Sequence, residues 1–155
     1  SHRSPGECAI DTLRSAEALA RRAHASQIDK AGHPYIGHVA RVAAHVRGDV
    51  DAEAVAWLHD VVEDCPDFAA EVDQFPAHIR AAVACLTRRK EVPADDYYAA
   101  IARNPLARKV KLADIADNSD PARLQYLPAA VSQRLTQKYA HALLALGAGP
   151  VPAAN

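Results

Sequence analysis

The sequence predicts an all-α fold, a single-domain helical bundle, and three observations predict it. Alanine, the best helix former, supplies 35 of the 155 residues. No segment sustains the period-2 alternation of a half-buried strand. Proline, glycine and aspartate signals cut the chain into about seven stretches whose apolar residues recur at helical spacing. A length of 155 residues suits one hydrophobic core. Hydrophobic residues at 50% and charged residues at 24% are ordinary globular usage, which excludes disorder over most of the chain.

Residues 1–9 are read as a disordered or processing-derived N-terminus, and 10–147 as the domain. The first helix is expected to start at Asp11, a good N-cap, and to run to about Ala25. Ile10, Leu13, Ala16, Ala20 and Ala23 share one face. A polar loop from Ser26 to His33 comes next, and Pro34 opens a helix with Ile36, Val39, Val42, Ala43 and Val46 in one stripe, ended by Gly48. Asp51 is expected to cap the next, with Val55, Leu58 and Val62 on its buried side. Cys65-Pro66 breaks the chain. A short helix over Phe68 to Val72 precedes a longer one opened by Pro76, carrying Ile79, Val83 and Leu86. Pro93 introduces a stretch with Tyr98 and Ile101. Asn104-Pro105 opens another, with Leu106, Val110 and Ala113 in line. The last helix runs from Pro128 to Leu146, with Gly147 as its stop. Residues 148–155 read as a flexible tail.

The formal net charge of −1 and a pI near 6.7 exclude a strongly basic nucleic-acid or polybasic membrane binder as the default. No apolar run is long enough for a membrane span, and no charged-then-apolar leader is seen. Cys8, Cys65 and Cys85 are odd in number and widely spaced. That fits a reducing cytosol rather than a disulfide scaffold or a cysteine-rich zinc module, so a cytoplasmic location is expected.

Chemistry concentrates in three segments. His59-Asp60-Val61-Val62-Glu63-Asp64 is expected to be helical, with His59 above Glu63 and Asp60 above Asp64. Four ionisable groups in six residues of an apolar helix are costly to bury unless something pairs with them, and a divalent cation would. Pro34-Tyr35-Ile36-Gly37-His38 places a histidine near the start of the preceding helix. Lys111-Leu112-Ala113-Asp114-Ile115-Ala116-Asp117-Asn118 places Asp114 and Asn118 four apart on a later one. Three helices could thus converge on one ion through His38, His59, Asp60 and Asp114.

PYIGH, HDVVED and VKLADIADN, in this order and spacing, resemble the HD superfamily of metal-dependent phosphohydrolases. The pattern is most similar to the hydrolase domain of the RelA/SpoT group and its small stand-alone relatives, over about residues 16–146. The resemblance implies that His38, His59, Asp60 and Asp114 are metal ligands. It implies that Glu63 and Asp64 orient and activate the attacking water. It further implies that Asn118 contacts the nucleotide, that Lys30 faces substrate phosphate, and that Tyr35 lies on the pocket side. Two nitrogen and two oxygen donors suit one mid-series divalent ion, Mn²⁺ first, with Fe²⁺, Co²⁺ or Zn²⁺ as alternatives.

Two positions depart from the RelA/SpoT pattern. Asp29 stands where an arginine usually stacks on guanine, and Pro121 stands where a hydroxyl residue is usual. A carboxylate there offers no cation–π stacking and repels anions. The expected function is therefore metal-dependent phosphohydrolysis of a small nucleotide, of which a (p)ppGpp-like 3′-pyrophosphate ester is one case. The alternatives are a nucleotidase or phosphomonoesterase of the wider superfamily, and a metal- or nucleotide-binding module without turnover. The partner is a small nucleotide; net charge disfavours nucleic acid, no membrane is implied, and homo-oligomers are left open. His24 is read as a satisfied, partly buried histidine, Asp117 as solvated or salt-bridged, and Cys65 as inert. The Arg88-Arg89-Lys90 run, or one of Arg108, Lys109 and Lys111, is open as a phosphate partner.

Overall fold

The computed structural model describes residues 3–148, and among them every named element is a helix. Helix α1 spans Pro5–Ala23, α2 Tyr35–His45, α3 Val50–Leu58 and α4 Val61–Asp64. A 3₁₀ turn, Pro66–Phe68, leads into α5, Ala69–Val72. Then come α6 Ala77–Leu86, α7 Ala94–Ala102, α8 Pro105–Asn118, α9 Pro121–Leu124 and α10 Ala129–Ala145. The all-α expectation holds.

Helix α1 starts six residues before the expected Asp11. Ser4 and Glu7 form a reciprocal capping box, with the Ser4 hydroxyl taking the Glu7 N–H at 3.2 Å, and Pro5 occupies the first helical position. Residues 5–9, expected to lie outside the domain, therefore form the first turns of this helix, and Asp11 lies inside it. Residues 1–2 and 149–155, which hold the ends of the expected termini, lie outside the described residues. Ala148 is still tied in, its N–H donating to the Leu143 carbonyl at 2.8 Å.

The cap of α3 is Asp49, two residues before the expected Asp51. Its carboxylate takes the Ala52 N–H at 3.0 Å and the Lys109 ammonium at 3.0 Å. Gly48 precedes it at φ +101°, a conformation that strains any residue with a Cβ. Helix α3 sits at the centre of the bundle. Ala52, Ala54, Val55, Ala56, Trp57 and Leu58 are all buried, so past its acidic first turn the helix is apolar on every side rather than striped. Helices α1, α2, α6 and α8 pack around it.

The HDVVED segment is not one helix, contrary to the expectation from spacing. Helix α3 stops at Leu58, His59 and Asp60 form a turn, and α4 restarts at Val61. Asp60 leaves helical geometry (φ −111°, ψ 0°), which rotates α4 relative to α3. Val61 is consequently the buried residue, while Val62, expected on the core side, is only half-buried. The break also turns His59 and Asp60 toward α2 and α8. Short α9, opened by Asp120 as cap and Pro121 at its first position, is an element that the sequence reading does not anticipate.

Candidate metal centre and nucleotide cavity

Helix α2 brings Tyr35 and His38 to the site from its first turn. Helix α8 brings Asp114, Asp117 and Asn118, which at spacings of three and four share one face. The α3–α4 break brings His59 and Asp60. One nitrogen or oxygen from each of His38, His59, Asp60 and Asp114 lies within 4.8 Å of the other three. Ligands held at about 2.0–2.2 Å from one ion can be up to about 4.4 Å apart, so inward movement of a few tenths of an ångström closes the set.

The outer hydrogen bonds fix both imidazoles. His38 Nδ1 donates to the buried Asp117 carboxylate at 2.6 Å, and His59 Nδ1 donates to the Ala56 carbonyl at 2.6 Å. In the neutral ring each Nε2 is then a bare lone pair. Yet His38 Nε2 faces an Asp114 oxygen at 2.8 Å, and His59 Nε2 faces Asp60 at 3.0 Å and Asp114 at 3.3 Å. As neutral rings these are buried acceptors confronting acceptors, and His59 Nε2 has no hydrogen-bond partner. A cation among them resolves the conflict, so the donor set fits a divalent metal.

The protonation equilibria show the same demand for positive charge. Burial disfavours a charged imidazole, but the carboxylates outweigh it and hold His38 above its ordinary pKa and His59 well above. Burial would likewise raise the carboxyl groups; His59 and the Tyr35 hydroxyl hold Asp60 low, and Lys111 with both imidazoles holds Asp114 well below its ordinary value. Lys111 Nζ lies 3.0 Å from Asp114, Tyr35 donates its hydroxyl to Asp60, and the Asn118 amide donates to Asp114 at 3.1 Å.

Asp117 carries more of the site than its sequence position suggests. It is salt-bridged, one of the two roles expected for it, but it is also 3% exposed and holds the outer face of His38. Arg41 and Arg123 each donate to it at 2.8 Å. Against the penalty of burial, the bonds from His38 and Arg41 bring its carboxyl down to about 2. Its place three residues after Asp114, on the same helical face, is the signal that could have found it. Arg123 escapes sequence reasoning because it lies on the unanticipated α9.

The acidic pair comes one turn after Asp60. Glu63 accepts the Arg88 N–H at 2.7 Å, and Asp64 accepts the Gln27 side-chain amide at 3.0 Å. Partial desolvation, the larger influence on each, raises both carboxyls above their ordinary values despite those donors. Beside the cluster lies a cavity of about 710 Å³, lined in part by Lys30, Tyr35, Arg41, Asn118, Arg123 and Tyr139. Tyr35 and Asn118 border both cavity and cluster. Of the three cations around Asp114 left open by the sequence, Lys111 alone is at the site; Arg108 bonds the Leu146 carbonyl and Lys109 bonds Asp49.

Asp29 lines the cavity but is not a bare negative charge. One oxygen accepts the Ala31 and His33 N–H groups at 2.9 Å each, and the other accepts Arg123 at 3.2 Å. Burial opposes its ionisation, but these donors outweigh it and lower its pKa. The expected repulsion is thus offset by an arginine supplied from α9.

Known proteins resemble the chain in sequence and in fold. The chain is 41% identical over 78 residues to guanosine-3′,5′-bis(diphosphate) 3′-pyrophosphohydrolase of Vibrio cholerae serotype O1, covering 48% of this chain and 11% of that protein. It is 40% identical over 68 residues to the bifunctional (p)ppGpp synthase/hydrolase SpoT of Escherichia coli K12, covering 42% of this chain and 10% of that one. It thus spans about a tenth of the length of these curated relatives. A solved structure of a metazoan ortholog of SpoT, described as hydrolyzing ppGpp, superposes with a TM-score of 0.70. It covers 94% of this chain and 88% of that one at 21% identity, a likeness of fold. No family model matches the chain. The relatives and the fold bear out the resemblance to SpoT-type hydrolases that the three motifs carried. No helix among the described residues is long and apolar enough to cross a membrane.

Proposed function

We propose that the protein is a metal-dependent phosphohydrolase of a small nucleotide, acting on a 3′-pyrophosphate ester of the guanosine tetraphosphate type. The observation that carries this reading is the pair of imidazoles whose Nε2 atoms are forced, by bonds at Nδ1, to face Asp60 and Asp114. His38, His59, Asp60 and Asp114 would hold one divalent ion, Mn²⁺ by preference for a mixed nitrogen–oxygen set. Such an ion acidifies a bound water and polarises a phosphoryl oxygen.

The chain's own residues have separate tasks. Glu63 and Asp64, raised in pKa yet able to ionise, take the proton from the attacking water. Tyr35 and Asn118 fix the orientation of Asp60 and Asp114 from the cavity side. Lys30 and Arg123 give the cavity positive charge for phosphate groups, and Tyr139, Leu127 and Ile28 give it apolar wall for a base.

The test is turnover by protein loaded with Mn²⁺, on a panel of nucleotides, with pyrophosphate and phosphate release read separately. Pyrophosphate from guanosine tetraphosphate supports the proposal. Phosphate from monophosphates alone moves the reading to a phosphomonoesterase. Tight nucleotide binding with no product would leave a binding module, against which the raised carboxyls of Glu63 and Asp64 argue.

A further inference from the structure

Two residues that the metal centre does not use converge on Asp64. His24 caps the C-terminal end of α1, and Gln27 lies three residues on, in the loop before α2. We propose that His24 and Gln27 are positioning residues for Asp64: His24 fixes which way the Gln27 amide points, and the amide holds one carboxylate oxygen in place. The proposal rests on the acid–base role given to Asp64 above.

Ionised Asp64 can only accept, so Gln27 must turn its NH₂ toward it, and Nε2 lies 3.0 Å from Oδ2. That sends Gln27 Oε1 the other way, where it meets His24 Nδ1 at 2.7 Å. An amide oxygen can only accept, so Nδ1 carries the proton and the tautomer of His24 is set. The Cys65 thiol is also near, 3.6 Å from Nδ1 and 3.8 Å from Oε1, but its shorter contact is with the Ala23 carbonyl at 3.2 Å. With Nδ1 protonated, His24 is the donor that locks the amide in the orientation Asp64 requires.

His24 is a costly residue to place there for packing alone. It is 1% exposed, and with Nδ1 protonated its Nε2 is a buried acceptor with no partner. A leucine would fill similar space without that orphan. The Tyr35 ring packs against the imidazole at 5.2 Å between centroids and limits its rotation. Were the amide reversed, Gln27 Oε1 would face the carboxylate, acceptor against acceptor, and Asp64 would turn away. No other side-chain hydrogen bond reaches the Asp64 carboxylate among the described residues, so this one bond sets its aim.

The experiment compares His24→Asn with His24→Leu in Mn²⁺-loaded protein. Asparagine carries Nδ2 on the same carbon that bears Nδ1 in histidine, so it keeps the donor; leucine keeps the bulk and loses it. His24→Leu should lower kcat about 10–100-fold, the usual effect of removing an outer hydrogen-bond partner, with KM and bound Mn²⁺ unchanged. His24→Asn should recover most of that loss. Equal losses in both variants, or a loss that tracks metal content, would overturn the proposal. A second readout needs no turnover. In protein labelled with ¹⁵N-glutamine, the Gln27 side-chain amide protons should change shift in His24→Leu and stay near wild type in His24→Asn. Unchanged shifts in His24→Leu overturn the relay whatever the activity. Responsive shifts in a protein inactive on every nucleotide support the relay and overturn the hydrolase reading instead.

Discussion

Asp117 shows how a single side chain decides what a metal ligand can do. By accepting a hydrogen bond from His38 Nδ1–H it leaves Nε2 bare, and by pairing with Arg41 and Arg123 it stays ionised while buried. Asp117→Asn keeps the shape and removes the charge. Manganese affinity measured by calorimetry should fall by about 10–100-fold, with the helical signal intact. An unchanged affinity would mean that His38 needs no outer carboxylate. Glu63 is a different kind of residue, off the ligand set and raised in pKa chiefly by partial desolvation. Glu63→Gln should retain manganese while turnover falls by about 10²–10⁴, the usual contribution of a general base. Loss of metal together with turnover would place Glu63 among the ligands.

Among the elements, caps and breaks matter more than apolar stripes. Asp49 caps the central helix and pairs with Lys109 across to α8. Asp49→Ala should cost about 0.5–2 kcal/mol in urea unfolding at neutral pH. The cap bond from Ala52, the main influence on Asp49, lowers its carboxyl below 3.8 in the folded chain. A depressed carboxyl stabilises above its unfolded value and loses that stabilisation as pH falls through the folded one. The gap between wild type and variant should therefore be full at neutral pH and close progressively below about pH 3.8. A gap that widens in acid would reverse this assignment. The break at His59-Asp60 is the other decisive local feature. A continuous helix would have carried Val62 into the core; the turn delivers Val61 instead and aims the two ligands at α2 and α8.

Over the whole molecule, the cavity is closed by residues far apart in sequence. Asp29 in the first loop holds Arg123 on α9, and Arg123 in turn reaches Asp117 and Asn118 at the end of α8. From sequence alone, Asp29→Arg should improve guanosine tetraphosphate turnover by restoring a stacking cation. The structure reverses that expectation. The variant sets a guanidinium against Arg123 and removes the acceptor for two backbone N–H groups, so it should lower stability by about 1–3 kcal/mol and lower turnover with it. Thermal melting and pyrophosphate release decide the matter together. A stable variant with raised turnover would show that Arg123 does not replace the missing arginine.

The helical class, most of the helix boundaries and the four candidate ligands are legible in the sequence. They depend on local information: alanine content, proline and glycine punctuation, and residue types that bear chemistry at fixed spacing. Ser4-Pro5 and Glu7 are also a readable capping box, although Asp11 is the more conspicuous start. The helix break at His59 is not legible, because nothing in the dipeptide forbids helix; the turn comes from directing two polar residues across the bundle toward α8. Spacing on α8 hints at Asp117, but the residues alone do not reveal that it holds His38, that Arg123 serves the site, or that Asp29 is neutralised. Those roles are pairings between residues 76 to 94 positions apart. The charge of an aspartate is written in the sequence, but its partner, and therefore whether it repels or anchors, is decided only when the helices pack.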